Sequence, residues 1–232
     1  KNTKLGVKLL ITGNGRCNLT NKILDQKILI DKYGKKGKFL YSCFNKFGVE
    51  DVLAFFASYG LKTKTEKDNR VFPVSDRASD VLQVLVNYLI DSNVEIKANS
   101  EVANIIVKNK KITKLILHNN QEIIAPNYII CTGGKSYPQT GSTGDGYDWL
   151  KKIGHTINTL RPSLTPVVLQ DKFIKELEGL GLSNIEINLF KNNNAAKGKK
   201  IDSCFGDIMF TSDGLSGPAI LNFSKKIGQA LP

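Results

Sequence analysis

Apolar residues recur along the first half of the chain with two periods, and each period predicts a different kind of element. A short apolar run at 8–12 predicts a strand or extended segment that leads into a polar, glycine-rich loop. Helical spacing predicts helices over 48–59 and from 75 to about 92, with a hairpin between them. Period two then predicts strands at 94–96, 102–108, 111–118, 121–124 and 127–131.

The pattern of apolar and polar residues changes in the second half of the chain. A helix is predicted over 147–153, where Gly154 ends it. Short β-like stretches follow at 165–169, 185–190 and 201–211, and Pro218 marks the start of a last helix. The polar run 191–200 predicts a surface turn or mobile loop.

The order of these elements predicts the fold class. Helix, parallel strand, three-stranded meander, parallel strand and glycine pair follow one another in the second half of a doubly wound mononucleotide-binding domain. The sequence therefore predicts an α/β protein whose domain lacks its first βαβ unit. A second, β-rich domain is expected to begin after about residue 160.

The chain carries a formal net charge of +12, almost all of it from lysine. This charge leaves three interpretations open: a solvated lysine-rich surface, attraction for an anionic substrate or cofactor, and nucleic-acid binding. Because arginines are few and the lysines come in ones, twos and threes, the pattern favours the solvated surface. The expected partner is a small molecule, and nucleic acid is not favoured.

Cysteine spacing and hydropathy limit the kinds of site and the cellular compartment that the sequence predicts. The four cysteines are far apart, which predicts reduced thiols and no metal site. No run approaches the roughly 20 apolar residues of a membrane span, so a cytoplasmic protein without a membrane partner is expected. The oligomeric state is not predicted.

Three glycine-rich segments are candidate ligand sites. The first is the loop 13–18, the second is 132–134 at a predicted strand end, and the third is 141–146 before a predicted helix. Glycine allows close backbone approach to a ligand, and the start of a helix presents free amides. The acidic pair Asp76 and Asp80 is explained by helix capping, and no catalytic residue is assigned.

Four stretches in order carry a resemblance to a known family. They are KLLITGNGRCNLTN (8–21), RVFPVSDRASDV (70–81), TGGKSYPQTGSTGDG (132–146) and, near the end, Phe210 and Thr211 with GLSGPA (214–219). The chain resembles the bacterial NAD(P)/FAD-dependent oxidoreductases known as the aminoacetone oxidase family.

The resemblance implies a fold and a cofactor. Residues 1–160 would form an FAD-binding domain of the two-dinucleotide-fold type, and 161–232 would begin an inserted β-barrel on the substrate side. The residues implied to line FAD are Gly13, Gly15, Arg16, Cys17, Asn18, Val102, Ala103, Thr132, Gly133, Gly134, Ser142, Thr143, Gly144, Asp145 and Gly146. Asn14 stands where the family has a third glycine, and asparagine tolerates a left-handed backbone.

The resemblance also implies a reaction. The parent protein would transfer hydride between flavin and NAD(P)H or an organic substrate, in amine oxidation or in reduction of unsaturated carbonyl compounds. The family's GxGxxG unit would precede Lys1 and its closing segment would follow Pro232, so an inactive internal piece is expected. The rival hypothesis is a non-catalytic basic binding module, for nucleic acid or another anionic partner, derived from the same fold.

Overall fold

A computed structural model describes residues 1–191 and 198–231, and the chain divides into two compact units at 157/158. Most of the polar run predicted as a turn or mobile loop lies outside the described residues. The two units are described separately below.

The described helices and strands alternate irregularly along the chain. The helices are α1 (Val7–Ile11), α2 (Gln26–Asp31), α3 (Tyr41–Lys46), α4 (Val49–Ser58), α5 (Ala78–Asp91), α6 (Asp145–Lys152) and α7 (Pro218–Ala230). The strands are β1 (Thr20–Asn21), β2 (Thr63–Thr65), β3 (Arg70–Pro73), β4 (Val102–Lys108), β5 (Lys111–Leu117), β6 (Glu122–Ile123), β7 (Val167–Val168), β8 (Gly181–Phe190), β9 (Lys200–Thr211) and β10 (Gly214–Ser216). The chain is therefore α/β, as the sequence predicted.

The first unit is built around α4 and α5, and both helices confirm the predicted apolar periodicity. Their buried residues Phe56, Val81 and Val84 form a core on which Leu9 and Leu10 of α1 pack. The strand predicted at 8–12 is wrong, because this run is the short helix α1. A five-residue apolar run does not distinguish strand from helix, and packing against α5 decides for the helix.

The β elements of the first unit are antiparallel. The predicted hairpin is present as β2 and β3, and β1 pairs with the other side of β3. The predicted meander is confirmed as β4, β5 and β6. Asn109 and Lys110 turn between β4 and β5 with φ of 48° and 61°, the left-handed pair that a tight hairpin turn uses.

Two predicted strands of the first unit are corrected. Segments 94–96 and 127–131 are irregular and belong to no ladder. Both are apolar but exposed in part, with Ile129 90% accessible. A strand needs a neighbour to take up its backbone hydrogen bonds, and the described residues provide none for these two segments.

The second unit is a four-stranded antiparallel sheet in the order β7-β10-β9-β8, with α7 on one face. Ile208 of β9 packs against Ala219 and Ile220 of α7, and Ile220 is 1% exposed. Gly206 allows this close contact, because a Cβ there would lie 3.1 Å from the Cβ of Ala219. The inserted barrel stays a prediction.

Candidate functional site

The loop 13–18 is a tight left-handed turn that follows α1. Gly13, Asn14, Gly15 and Cys17 have φ of 56°, 57°, 81° and 60°. The carbonyl of Thr12 accepts hydrogen bonds from the amides of Gly15 and Cys17, at 3.1 and 3.0 Å. The loop is therefore closed by its own backbone, and Asn14 adopts the left-handed conformation that asparagine tolerates.

The two glycines of this loop have different surroundings. A Cβ on Gly13 would lie 2.8 Å from the backbone nitrogen of Asn18, so glycine is required there for the turn itself. A Cβ on Gly15 would find its nearest neighbour, the carbonyl of Leu10, at 4.0 Å. The amide of Gly15 donates to Thr12 and its carbonyl accepts from the amide of Ala78, at 2.8 Å, but the space beside its Cα is open. This open side fits the close approach that a flavin dinucleotide needs.

The side chain of Arg16 is held by acidic groups of the chain itself. Its guanidinium donates to both carboxylate oxygens of Glu66, at 3.2 and 2.7 Å, and lies 3.9 Å from the ring centroid of Phe72. Asp76 forms an ion pair with it at 3.4 Å. The planar fork predicted to meet a ligand is thus occupied, and Arg16 fastens the loop to β3.

Lys64 joins Arg16, Glu66 and Asp76 in one charge cluster. It lies 2.5 Å from Asp76 and 3.5 Å from Glu66. The hydrogen bond from Lys64 lowers the pKa of Asp76, and the same bond raises the pKa of Lys64. Oδ1 of Asp76 is buried and accepts no hydrogen bond, so its contact with Arg16 is electrostatic only.

The side chains of Cys17 and Asn18 also hold the loop in place. Cys17 is 7% exposed and packs in the core beside Phe56 and Ala78. The amide group of Asn18 lies 3.0 Å from the carbonyl oxygen of Thr20 and 3.1 Å from that of Val71, and with its nitrogen turned toward them it donates to both. The side chains of 16–18 therefore shape the loop, and its open side at Gly15 remains for a ligand.

The segments 132–134 and 142–146 lie against each other. A Cβ on Gly133 would lie 2.7 Å from Oγ of Ser142, and one on Gly146 would lie 2.3 Å from Oγ1 of Thr132. Ser142 itself is 7% exposed. Two of the three glycine segments found in the sequence thus form one structure, in which glycine is needed for packing.

The start of α6 carries negative charge. Asp145 and Asp148 lie in its first turn, where carboxylates stabilise the helix dipole. Lys1 contacts Asp145 at 2.7 Å, and this hydrogen bond lowers the pKa of Asp145 and raises that of Lys1. Two carboxylates oppose a phosphate at this position, so the turn fits the edge of a neutral ring better.

The remaining predicted contacts are backbone groups of β4. The register of β4 against β5 passes from Val102–Leu117 to Asn104–Ile116, so Ala103 forms a bulge. Ala103 is exposed. A bulged residue leaves backbone groups unpaired, and this suits the backbone contact expected here.

The glycine loop and the paired glycine segments are linked through α1. Within residues 1–191 and 198–231, no hydrogen bond or ion pair joins them directly. However, Lys8 of α1 donates to the carbonyl of Ser136 at 2.6 Å. The loop begins two residues after the end of the same helix, which closes at Ile11.

A cavity lies beyond the glycine loop, and the sequence did not predict it. It measures about 600 Å³ and is lined by Asn21, Ile23, Leu29, Lys32, Tyr33, Asp68 and Asn69. Asn21 is the last residue of the motif 8–21, and this was the only sequence signal that pointed toward the cavity. Its amide nitrogen donates to the carbonyl of Asp68 at 2.8 Å and so fixes one wall.

The helices of the described residues are too short and too polar to cross a membrane. The chain is α/β with small antiparallel sheets and left-handed glycine loops. Comparison with known proteins gives its class, the Rossmann-like domains. Residues 1–220 match the model of the HI0933-like protein Rossmann domain, and the chain belongs to this family.

Curated relatives fall into two groups. The chain is 30% identical over 227 residues to a 3-dehydro-bile acid delta(4,6)-reductase of Clostridium scindens, covering 98% of this chain and 53% of the relative. It is 28% and 27% identical to ribosomal RNA dihydrouridine synthases of Haemophilus influenzae and Escherichia coli, covering 95% of this chain and 53% and 52% of those proteins. The chain spans about half the length of these relatives.

Proposed function

We propose that the protein is an FAD-dependent oxidoreductase. The observation that carries the proposal is the left-handed loop at Gly13 and Gly15, with open space at Gly15, in a chain of the HI0933-like Rossmann-domain family. Bound FAD supplies hydride-transfer chemistry that no amino-acid side chain provides. The chain's part is to bind, to orient and to exclude water.

The residues assigned to FAD are those that the sequence singled out. The open side of the loop at Gly15, which the turn at Gly13 shapes, takes one part of the cofactor, and the paired segments 132–134 and 142–146 take another. The bulge at Ala103, with Val102, takes the adenine end. Arg16 acts by fastening the loop through Glu66 and not by touching phosphate.

For the reaction, we propose reduction of a carbon–carbon double bond next to a carbonyl, with NAD(P)H as electron donor. The relatives are named as a delta(4,6)-reductase of a 3-dehydro-bile acid and as synthases of dihydrouridine, and both names are consistent with such a reduction. Amine oxidation, suggested by the resemblance to the aminoacetone oxidases, is the alternative. The candidate substrates are a small unsaturated acid and a uracil base within RNA.

The test uses protein expressed from its full coding sequence. Anaerobic NADPH or NADH is expected to bleach a flavin absorption band, and an unsaturated carbonyl compound is expected to restore it. Consumption of an amine without consumption of the unsaturated compound would shift the reaction to amine oxidation. A colourless protein that takes up no added FAD would contradict the proposal.

A pair of matched variants tests the assigned loop. Gly15 and Gly60 both have φ near 80°, at 81° and 79°, and both have open space at the Cβ position. Gly15→Ala and Gly60→Ala therefore carry the same backbone strain. FAD affinity is expected to fall in Gly15→Ala and to stay unchanged in Gly60→Ala. An equal loss in both would remove Gly15 from the site.

A further inference from the structure

Residues 22–46 carry five of the twelve net positive charges of the chain. Residues 22–46 contain seven lysines and two aspartates, whereas residues 47–100 contain six lysines and arginines and eight acidic residues. We call this segment, together with the adjoining Phe47, the lysine-rich segment (residues 22–47). It comprises α2, a 3₁₀ helix (Gly34–Leu40) and α3.

The lysine-rich segment is a folded surface. Its three short helices pack against one another, with Ile30 1% exposed at their centre. Gly37 allows the closest approach, since a Cβ there would lie 2.2 Å from the carbonyl of Ile30. Tyr33 and Phe44 pack with ring centroids 6.1 Å apart. The side chains around this centre are therefore presented on a defined scaffold.

The described lysine side chains of this segment have no acidic partner within residues 1–191 and 198–231. These side chains are all exposed, and within the described part of the chain none forms an ion pair: Lys22, Lys27, Lys32, Lys36, Lys38 and Lys46. Six lysines elsewhere in the described residues do form ion pairs, as Lys64 does with Asp76 and Lys114 does with Glu122. Unneutralised lysines on one folded surface favour a polyanion.

Exposed aromatic rings alternate with these lysines. Phe39 is 85% exposed, Tyr33 and Phe47 are 54% exposed, and Tyr41 is 36% exposed. Aromatic rings left in water beside lysines are the arrangement on which unpaired bases stack. Lys32 and Tyr33 also line the cavity of about 600 Å³, together with the amides of Asn21 and Asn69.

We propose that the lysine-rich segment is a docking surface for single-stranded RNA, with lysines on the phosphates and Tyr33, Phe39 and Phe47 under the bases. The charge and the rings select a single-stranded nucleic acid, and the choice of RNA rests on the substrate class proposed above. An anionic membrane fits less well, because α2 and α3 have six residues each and form no long amphipathic helix.

The test compares two triple charge reversals by binding of a labelled single-stranded RNA, without flavin reductant. Lys32→Glu/Lys36→Glu/Lys38→Glu alters the docking surface. Lys108→Glu/Lys110→Glu/Lys111→Glu makes the same charge change at the exposed hairpin turn. We expect the first to weaken binding at least about tenfold and to reduce the slope of log K against log salt by about 2, whereas the second has a much smaller effect.

A further variant separates stacking from charge. Phe39→Ala is expected to weaken RNA binding about fivefold or more without changing the salt dependence, since base stacking does not release counterions. Lysine-to-glutamine versions of both triples replace any reversal that fails to fold. Equal losses in the two triples, or binding to phosphatidylserine vesicles but not to RNA, would overturn the proposal. Because no turnover is measured, this outcome is independent of the proposed reductase activity.

Discussion

Replacing Gly13 by alanine tests the described geometry of the glycine loop, and Gly15 provides the comparison. Both residues have positive φ, so a side chain at either position costs about 1–2 kcal/mol of backbone strain. Only at Gly13 does the new Cβ also meet backbone, 2.8 Å from the nitrogen of Asn18 and 3.1 Å from the ring of Phe72. Relief of such a contact costs about 1–3 kcal/mol more.

Gly13→Ala is therefore expected to lower the free energy of unfolding by about 2–5 kcal/mol. Gly15→Ala is expected to lower it by about 1–2 kcal/mol. Urea unfolding followed by circular dichroism measures both, with the slope m confirming that the unfolded states are comparable. If Gly13→Ala were no less stable than Gly15→Ala, the described packing of the loop would be incorrect.

Two other changes test the charge cluster and the second unit. Asp76→Asn keeps the left-handed backbone at φ 54° and removes the bond from Lys64. Because that bond lowers the pKa of Asp76, its stabilisation is present at neutral pH and is lost as the pH falls below about 4 and through the lowered pKa. Wild type is thus expected to exceed the variant in thermal stability at pH 7 and to converge with it in acid; a constant difference would contradict this. Ile220→Ala is expected to cost about 2–5 kcal/mol in urea unfolding, whereas Ile201→Ala, 47% exposed, costs much less; equal losses would place Ile220 outside the core.

Local patterns in the sequence predicted the local structure well. Alternating apolar residues predicted the strands of the meander, and the two residues left between the first pair, Asn109 and Lys110, form the tight turn. Gly154 marked the end of α6 correctly. The failures have a different cause. The apolar runs at 8–12 and 127–131 are too short to identify their element, which depends on what packs or pairs with them.

Long-range contacts at the site were beyond the sequence. Nothing near Arg16 indicates that its partner is Glu66, fifty residues away, so its fork was assigned to a ligand. The sequence identified the glycines. It did not show that Gly133 and Gly146 pack against the opposing segment whereas Gly15 has open space beside it. The lysines of 22–46 looked scattered along the sequence, because only the fold shows whether acidic side chains lie beside them.

Hydrogen–deuterium exchange of the protein, expressed from its full coding sequence, with and without FAD tests the central claim most directly. We expect FAD to slow exchange at the amides of 13–18 and of 132–146 together, since both segments are assigned to the cofactor. Protection confined to other parts of the chain, with these two segments unchanged, would contradict the assigned site.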